Sequence, residues 1–127
     1  MERKAVLSQD APKPIGPYSQ AIEAGGFIFC SGQIPLDPQT GQLVAGDIQV
    51  QTQRILANLE AVLTAAGSSL EQTVKLTVYL TNLGDFESLN QILGKCFIKD
   101  PPARAVVQVS ALPKNASVEV DLIALKK

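Results

Sequence analysis

Two segments with helical periodicity constrain the fold of this chain more than any other feature. The first follows Asp47, a typical N-cap residue, and stops at Gly67. The second follows Asp85 and cannot continue through Pro101 and Pro102. The apolar positions are Ile48, Ile55, Leu59, Val62 and Leu63 in the first segment and Phe86, Leu89, Leu93 and Phe97 in the second. We therefore expect two helices, each with one apolar side that another element must cover.

Alternating and turn-bounded segments around these helices predict strands. The predicted strands are 20–24, 27–31, 42–44, 73–81, 103–109 and 117–124. Gly25-Gly26 joins the first two as a hairpin, and segment 73–81 alternates, with Val74, Leu76, Val78 and Leu80 on one side. The order β-β-β-α-β-α-β-β predicts an α/β (α+β) two-layer sandwich, in which two helices cover one face of a six-stranded mixed sheet. We expect residues 1–127 to be one domain.

Charge and residue usage exclude several classes of function. The net charge is -1 and the eleven Lys and Arg residues are scattered, so we expect no nucleic-acid partner. The chain has no histidine, which removes Ser-His and Cys-His nucleophiles and most catalytic zinc sites. We therefore expect no metal, and acid-base chemistry falls to carboxylates, tyrosine, lysine or bound water.

Cysteine context and hydropathy indicate where such a chain works. Cys30 and Cys96 lie in apolar surroundings, as expected for buried thiols in a reducing compartment. The chain opens without the basic and apolar blocks of a signal peptide, and no apolar run approaches the ~18 residues of a membrane span. We expect a cytoplasmic protein with no membrane contact.

The last two predicted strands carry the most informative polar pair. If they form a hairpin with its turn centred between Ala111 and Leu112, Arg104 lies opposite Glu119. The core side is then Ala105, Val107, Val109, Val118, Val120 and Leu122, and the other side is Arg104, Val106, Gln108, Ser117, Glu119, Asp121 and Ile123. One interpretation is a cross-strand ion pair worth about 0.2 to 1 kcal/mol. The other is a site where Arg104 binds a ligand carboxylate while Glu119 orients or deprotonates water.

Apolar residues on that polar side indicate that something covers it. Val106 and Ile123 lie among its polar residues, and Tyr79 projects to the same side from the preceding strand. Because both helices are committed to the opposite side, the expected cover is another copy of the chain in a closed symmetric oligomer.

Four sequence blocks resemble those of the reactive intermediate deaminase A (RidA, YjgF/YER/UK114-type) family. They are Gly16-Pro17-Tyr18-Ser19-Gln20-Ala21, Ser31-Gly32-Gln33-Ile34-Pro35, Pro102-Ala103-Arg104-Ala105 and Val118-Glu119-Val120. The resemblance covers nearly the whole chain, and four blocks in order are far more specific than any one of them.

The resemblance implies a homotrimer with a chorismate-mutase-like fold and three clefts between subunits. It implies cofactor-independent hydrolysis of 2-iminopropanoate and 2-iminobutanoate, with their enamine tautomers, to ammonia and 2-keto acids, a detoxifying activity. The matching site positions are Tyr18, Ser31, Gly32, Asn90, Arg104 and Glu119. In the implied roles Arg104 and Glu119 are catalytic, Arg104 fixing the carboxylate and Glu119 activating water. Ser31, Gly32 and Asn90 contact the substrate, and Tyr18 lines the cleft from the adjacent subunit.

The chain also departs from the family pattern, and other functions stay open. Val106 stands where many relatives carry cysteine, and Leu93 and Cys96 stand where aromatic residues are common, so we expect Val106 to influence substrate preference. One alternative is a trimer that binds 2-keto acids or other small carboxylates and acts through a partner protein. Relatives described as ribonucleases, translation inhibitors or chaperone-like proteins supply others, as does deamination of aminoacrylate derivatives from pyrimidine breakdown.

Overall fold

The computed structural model describes residues 2–127 and contains a six-stranded sheet with two helices. The helices are α1 (Ile48–Ala65) and α2 (Phe86–Cys96). The strands are β1 (Arg3–Val6), β2 (Ala21–Ala24), β3 (Phe27–Gln33), β4 (Thr73–Leu80), β5 (Ala103–Gln108) and β6 (Val118–Leu125). Their order in the sheet is β1-β2-β3-β6-β4-β5, with β4 and β5 parallel and the other neighbours antiparallel. The predicted mixed sheet and element order are confirmed.

Local signals set the helix starts in two different ways. The Asp47 carboxylate accepts a hydrogen bond from the backbone N–H of Val50 at 3.0 Å, which satisfies one free donor of α1. Asp85 occupies the N-cap position of α2 but makes no capping bond with its side chain. Asn82 instead caps the short turn before α2, accepting from the N–H of Gly84 at 2.8 Å. Among residues 2–127 no helix is long and apolar enough to cross a bilayer.

The core lies between the helices and one face of the sheet. The side chains buried to 0% exposure include Ile55 and Leu59 of α1, Leu89 of α2, and Val78 and Val120 of the central strands. Truncating one such leucine or isoleucine to alanine typically costs about 2 to 5 kcal/mol. The core therefore packs against β4 and β6, and these strands carry the polar residues described below.

Two details of the predicted strands are wrong. Segment 42–44 forms only an isolated bridge between Leu43 and Leu36, and the additional strand is β1, which pairs with β2 at the edge of the sheet. Its charged Arg3 and Lys4 give no strand pattern, because an edge strand needs little apolar surface. Val74 lies where the β4–β6 register shifts, and it is 37% exposed rather than buried.

The predicted hairpin of the last two strands is also wrong, because β4 lies between β5 and β6. Residues 109–117 pass over the end of β4, where the N–H of Val109 donates to the Leu80 carbonyl at 2.8 Å. The side chains of β5 are reversed as a result. Val106 pairs with Val78 and packs against the core, whereas Val107 is 41% exposed.

Candidate active site

Glu119 lies on the sheet face opposite the helices, in contact with a bulge in β3. The β3–β6 register shifts between Cys30 and Gln33, which places Gly32 against the Glu119 side chain. A Cβ atom built on Gly32 would lie 2.2 Å from Glu119 Oε2 and 2.9 Å from its Cδ. Only glycine allows the carboxylate this close to the backbone of β3. Gly32 and Glu119, which the family resemblance assigns to one site, are therefore neighbours.

A tyrosine and a second carboxylate lie beside Glu119. Tyr79 is its register partner on β4, and the Tyr79 hydroxyl donates a hydrogen bond to Asp121 Oδ2 at 2.9 Å. That bond, with burial and the charges of Asp121 and Glu119, raises the pKa of Tyr79. Burial, and then the charge of Asp121, raises the pKa of Glu119 above 4.5. The prediction that Tyr79 projects to the side of Glu119 is confirmed; the Tyr79–Asp121 bond was not predicted.

Ser31 and Tyr18 connect this cluster to the proline-rich N-terminal segment. The Ser31 hydroxyl donates to the Ser19 carbonyl at 2.6 Å, next in sequence to Tyr18. Tyr18 is 46% exposed, and its hydroxyl accepts from the N–H of Ile15 at 3.2 Å. Gln20, which is 2% exposed, fixes the segment through hydrogen bonds to the backbone of Ser8 and Pro12. Tyr18 therefore has a defined position, and its hydroxyl donates no hydrogen bond within residues 2–127.

Arg104 lies on the other side of the sheet. It pairs with Leu76 on β4, whose side chain is buried beneath the helices, whereas Glu119 pairs with Tyr79. Residues 76 and 79 are an odd number of positions apart on one strand, so their side chains point to opposite faces. The Arg104 guanidinium carbon lies 5.5 Å from the ring centroid of Phe86, within range of a cation–π contact. The predicted position of Arg104 opposite Glu119 is wrong within one chain.

Asn90 of α2 lies on the same side as Arg104. Both line one open cavity of about 290 Å³. The Asn90 Oδ1 atom is buried and has no hydrogen-bond partner within residues 2–127. A buried acceptor without a partner costs free energy, and such atoms are uncommon in folded proteins. Nothing in the sequence pattern marked this atom or the Phe86 contact.

The two cysteines match the sequence expectation of buried thiols only in part. Cys30 is buried, and burial, followed by the charge of Asp121, raises its pKa to about 12. Cys96 is half-buried, and burial also raises its pKa. Across residues 2–127, no three Cys, Asp or Glu side chains come together in a way that could hold a metal ion. Because the pKa values of both thiols are raised, they are poor nucleophiles at neutral pH.

The chain is closely similar to proteins of known family. A family model described as endoribonuclease L-PSP matches residues 8–126. A RutC family protein from Pyrococcus abyssi is 50% identical over 127 residues, which are 100% of each chain. The chloroplastic Reactive Intermediate Deaminase A of Arabidopsis thaliana is 40% identical over 124 residues, covering 98% of this chain and 66% of that protein.

Solved structures agree equally well with the architecture. Yeast Mmf1 superposes with a TM-score of 0.96 at 34% identity, covering 99% of this chain and 100% of that chain. E. coli TdcF, in a crystal structure with bound serine, superposes with a TM-score of 0.90 at 39% identity, covering 98% and 99%. These similarities confirm the predicted fold class.

Proposed function

The chain belongs to the RidA family, and on that premise we propose that it hydrolyses 2-iminopropanoate and 2-iminobutanoate, with their enamine tautomers, to 2-keto acids and ammonia. The observation that carries the proposal is the Glu119 carboxylate, half-buried against Gly32 with a raised pKa. A carboxylate whose pKa lies nearer neutrality is a better general base than an ordinary surface glutamate.

In the proposed reaction, Glu119 takes a proton from a water molecule as the water oxygen attacks the imine carbon. Glu119 gives this proton to the imine nitrogen, which completes the carbinolamine intermediate. The Glu119 carboxylate next takes the hydroxyl proton of the carbinolamine and returns it to the amino nitrogen, so that the C–N bond breaks, ammonia leaves and the carbonyl of the 2-keto acid forms. Every atom of the products comes from the imine and one water molecule. Because an imine carbon is already electrophilic, positioning plus one acid-base group is sufficient, and no cofactor is required.

Arg104 is the proposed anchor for the substrate carboxylate, since its planar guanidinium can donate two parallel hydrogen bonds. Arg104 and Glu119 point to opposite faces of one sheet, so a cleft that contains both must combine residues of two chains. We therefore propose a homotrimer with a cleft at each subunit boundary. The open sheet face supports this assembly, because it exposes Phe27 at 39%, Phe29 at 45% and Leu125 at 41%.

The other substrate contacts in this proposal come from Tyr18, Ser31, Gly32 and Asn90. Tyr18 has a hydroxyl proton to donate, and the Asn90 Oδ1 atom is an acceptor that residues 2–127 leave unpaired. We propose that residues 1–127 act as one domain and that the protein works in the cytoplasm, where its two free thiols stay reduced.

A second candidate is a trimer that binds small carboxylates and acts through a partner protein. The observation that favours it is the serine bound in the similar E. coli TdcF structure, since serine is itself a small carboxylate. The description of the family model also names an endoribonuclease, against which the net charge of -1 argues.

The deciding experiment generates 2-iminobutanoate in situ from threonine with a threonine dehydratase. Semicarbazide traps the remaining imine, and its absorbance measures how fast the imine disappears. We expect acceleration over buffer by the wild-type protein and a large loss of that acceleration in Glu119→Gln. A wild-type rate equal to that of buffer refutes the deaminase, and a parallel assay with labelled RNA tests for ribonuclease activity.

A further inference from the structure

An open cavity lies directly behind Arg104, between α2 and the ends of β4 and β5. Its volume is about 290 Å³. Its wall is mainly apolar, formed by Leu76, Leu93, Phe97, Pro101 and Pro102, with Arg104 and Asn90 as its polar members. Among residues 2–127, no Asp or Glu side chain lines the cavity, so an anion bound at Arg104 would face no negative charge there.

Gly94 lines the cavity without a side chain. Asn90, Leu93, Gly94 and Phe97 follow the i, i+3, i+4, i+7 spacing that places them on one side of α2. A Cβ atom built on Gly94 would meet nothing within 4 Å. The space that a larger residue would fill at this position is therefore part of the cavity. Glycine inside a helix costs roughly 0.5 to 1 kcal/mol of stability relative to alanine. Gly94 lies inside α2 and has no positive φ, so the backbone conformation does not require glycine there.

We propose that this cavity receives the apolar side chain of the substrate, and that it favours 2-imino acids whose side chains have about four to six carbon atoms over those with methyl or ethyl groups. The assignment rests on the proposed function in one respect, namely that Arg104 binds the carboxylate of a 2-imino acid.

The size and the polarity of the cavity support this occupant. An apolar cavity of about 150 Å³ is large enough to bind benzene, and this one is about 290 Å³ and open at one side. Arg104 lies on its wall, and the Phe86 ring 5.5 Å from the guanidinium carbon limits where the guanidinium can go. A carboxylate held by Arg104 would leave a short hydrocarbon chain within reach of Leu93 and Phe97. An ethyl group would leave most of the cavity unfilled.

The test measures binding of the 2-keto acid products, which carry the same carboxylate and side chain as the imines. Isothermal titration calorimetry compares 2-oxobutanoate with 4-methyl-2-oxopentanoate on the wild-type protein. Each buried CH₂ group improves affinity by about fourfold, so two further carbons predict about 15-fold tighter binding. In Gly94→Leu, whose side chain would occupy part of the cavity, we expect that ratio to fall towards one.

A control variant and a separate turnover assay make the outcome specific. Gln91→Leu adds the same side chain to an exposed position of α2 outside the cavity, and its affinity ratio should equal that of the wild type. A wild-type ratio near one, or an unchanged ratio in Gly94→Leu, overturns the assignment of the cavity. Hydrolysis of 2-iminobutanoate is measured independently. If the wild-type protein shows no turnover but its affinity ratio still falls in Gly94→Leu, the proposed deaminase activity is refuted and the cavity assignment stands.

Discussion

A methyl group added at Gly32 would collide with the carboxylate that we propose as the general base. The Cβ of Gly32→Ala would lie 2.2 Å from Glu119 Oε2, about 1.2 Å less than the 3.4 Å at which ordinary van der Waals contact begins. The backbone at Gly32 does not have a positive φ, so alanine itself is tolerated there. Glu119 must therefore move by roughly 1 Å, while the strands can stay in place.

A displacement of about 1 Å in a catalytic group can lower the rate by about 100-fold, which corresponds to about 2.7 kcal/mol of transition-state stabilisation. We expect that loss in kcat/KM for 2-iminobutanoate, measured by semicarbazide trapping. We expect little change in thermal stability, because Glu119 is half-buried and its carboxylate can turn towards solvent. A Gly32→Ala protein with the wild-type rate would refute the contact as a feature of the active site.

The same change in a Glu119→Gln background shows whether the loss acts through Glu119. If it does, Gly32→Ala lowers the residual rate by no more than about twofold once the carboxylate is gone. Two losses that multiply in full would mean that Gly32 acts through another group and not through the position of the Glu119 carboxylate.

Arg104→Ala should lose about 2 to 5 kcal/mol of carboxylate recognition, measured in kcat/KM. Its melting temperature should stay unchanged, because Arg104 is exposed on an edge strand. Turnover equal to that of the wild type would exclude Arg104 as the anchor. Because the proposed base Glu119 can accept a proton only when it is ionised, we expect kcat/KM to fall as the pH drops through an apparent pKa above 4.5. Asp121→Asn, which removes a negative neighbour, should move that fall to lower pH. The pKa of Glu119 is higher in the folded protein than in the unfolded chain, so ionisation of Glu119 lowers the free energy of unfolding. This loss is complete above the folded-state pKa and absent below the unfolded-state pKa. Glu119→Gln should therefore melt higher than the wild type at neutral pH, and the difference should close as the pH approaches 4.5.

The helices were predictable from sequence because their signals are local. Asp47 forms the N-cap that its residue type predicts, and the apolar spacing that includes Ile55 and Leu59 marks the buried side of α1. Strand identity was nearly as accessible, with two exceptions. Segment 42–44 forms only an isolated bridge, and the charged Arg3 and Lys4 conceal the edge strand β1, which gains its stability from backbone pairing with β2.

The hairpin of β2 and β3 across Gly25-Gly26 was predictable from its turn residues and is confirmed. The pairing of β5 was not predictable, because it depends on contacts between distant parts of the chain. The turn residues within 109–117 predict a hairpin, whereas this segment carries the chain past β4. That single difference reverses the faces of β5 and moves Arg104 and Val106 to the helix side. The close approach of Gly32 to Glu119 and the open space beside Gly94 depend on packing, for which one sequence offers no periodic signal.

The opposite orientation of Arg104 and Glu119 has a consequence for inheritance. In a cyclic trimer with shared clefts, every chain would contribute its arginine to one cleft and its glutamate to another. A copy that lacks either group would then disable one cleft of the three and leave its other contribution intact. Two alleles with different defects would complement each other in mixed assemblies, while neither alone would support turnover.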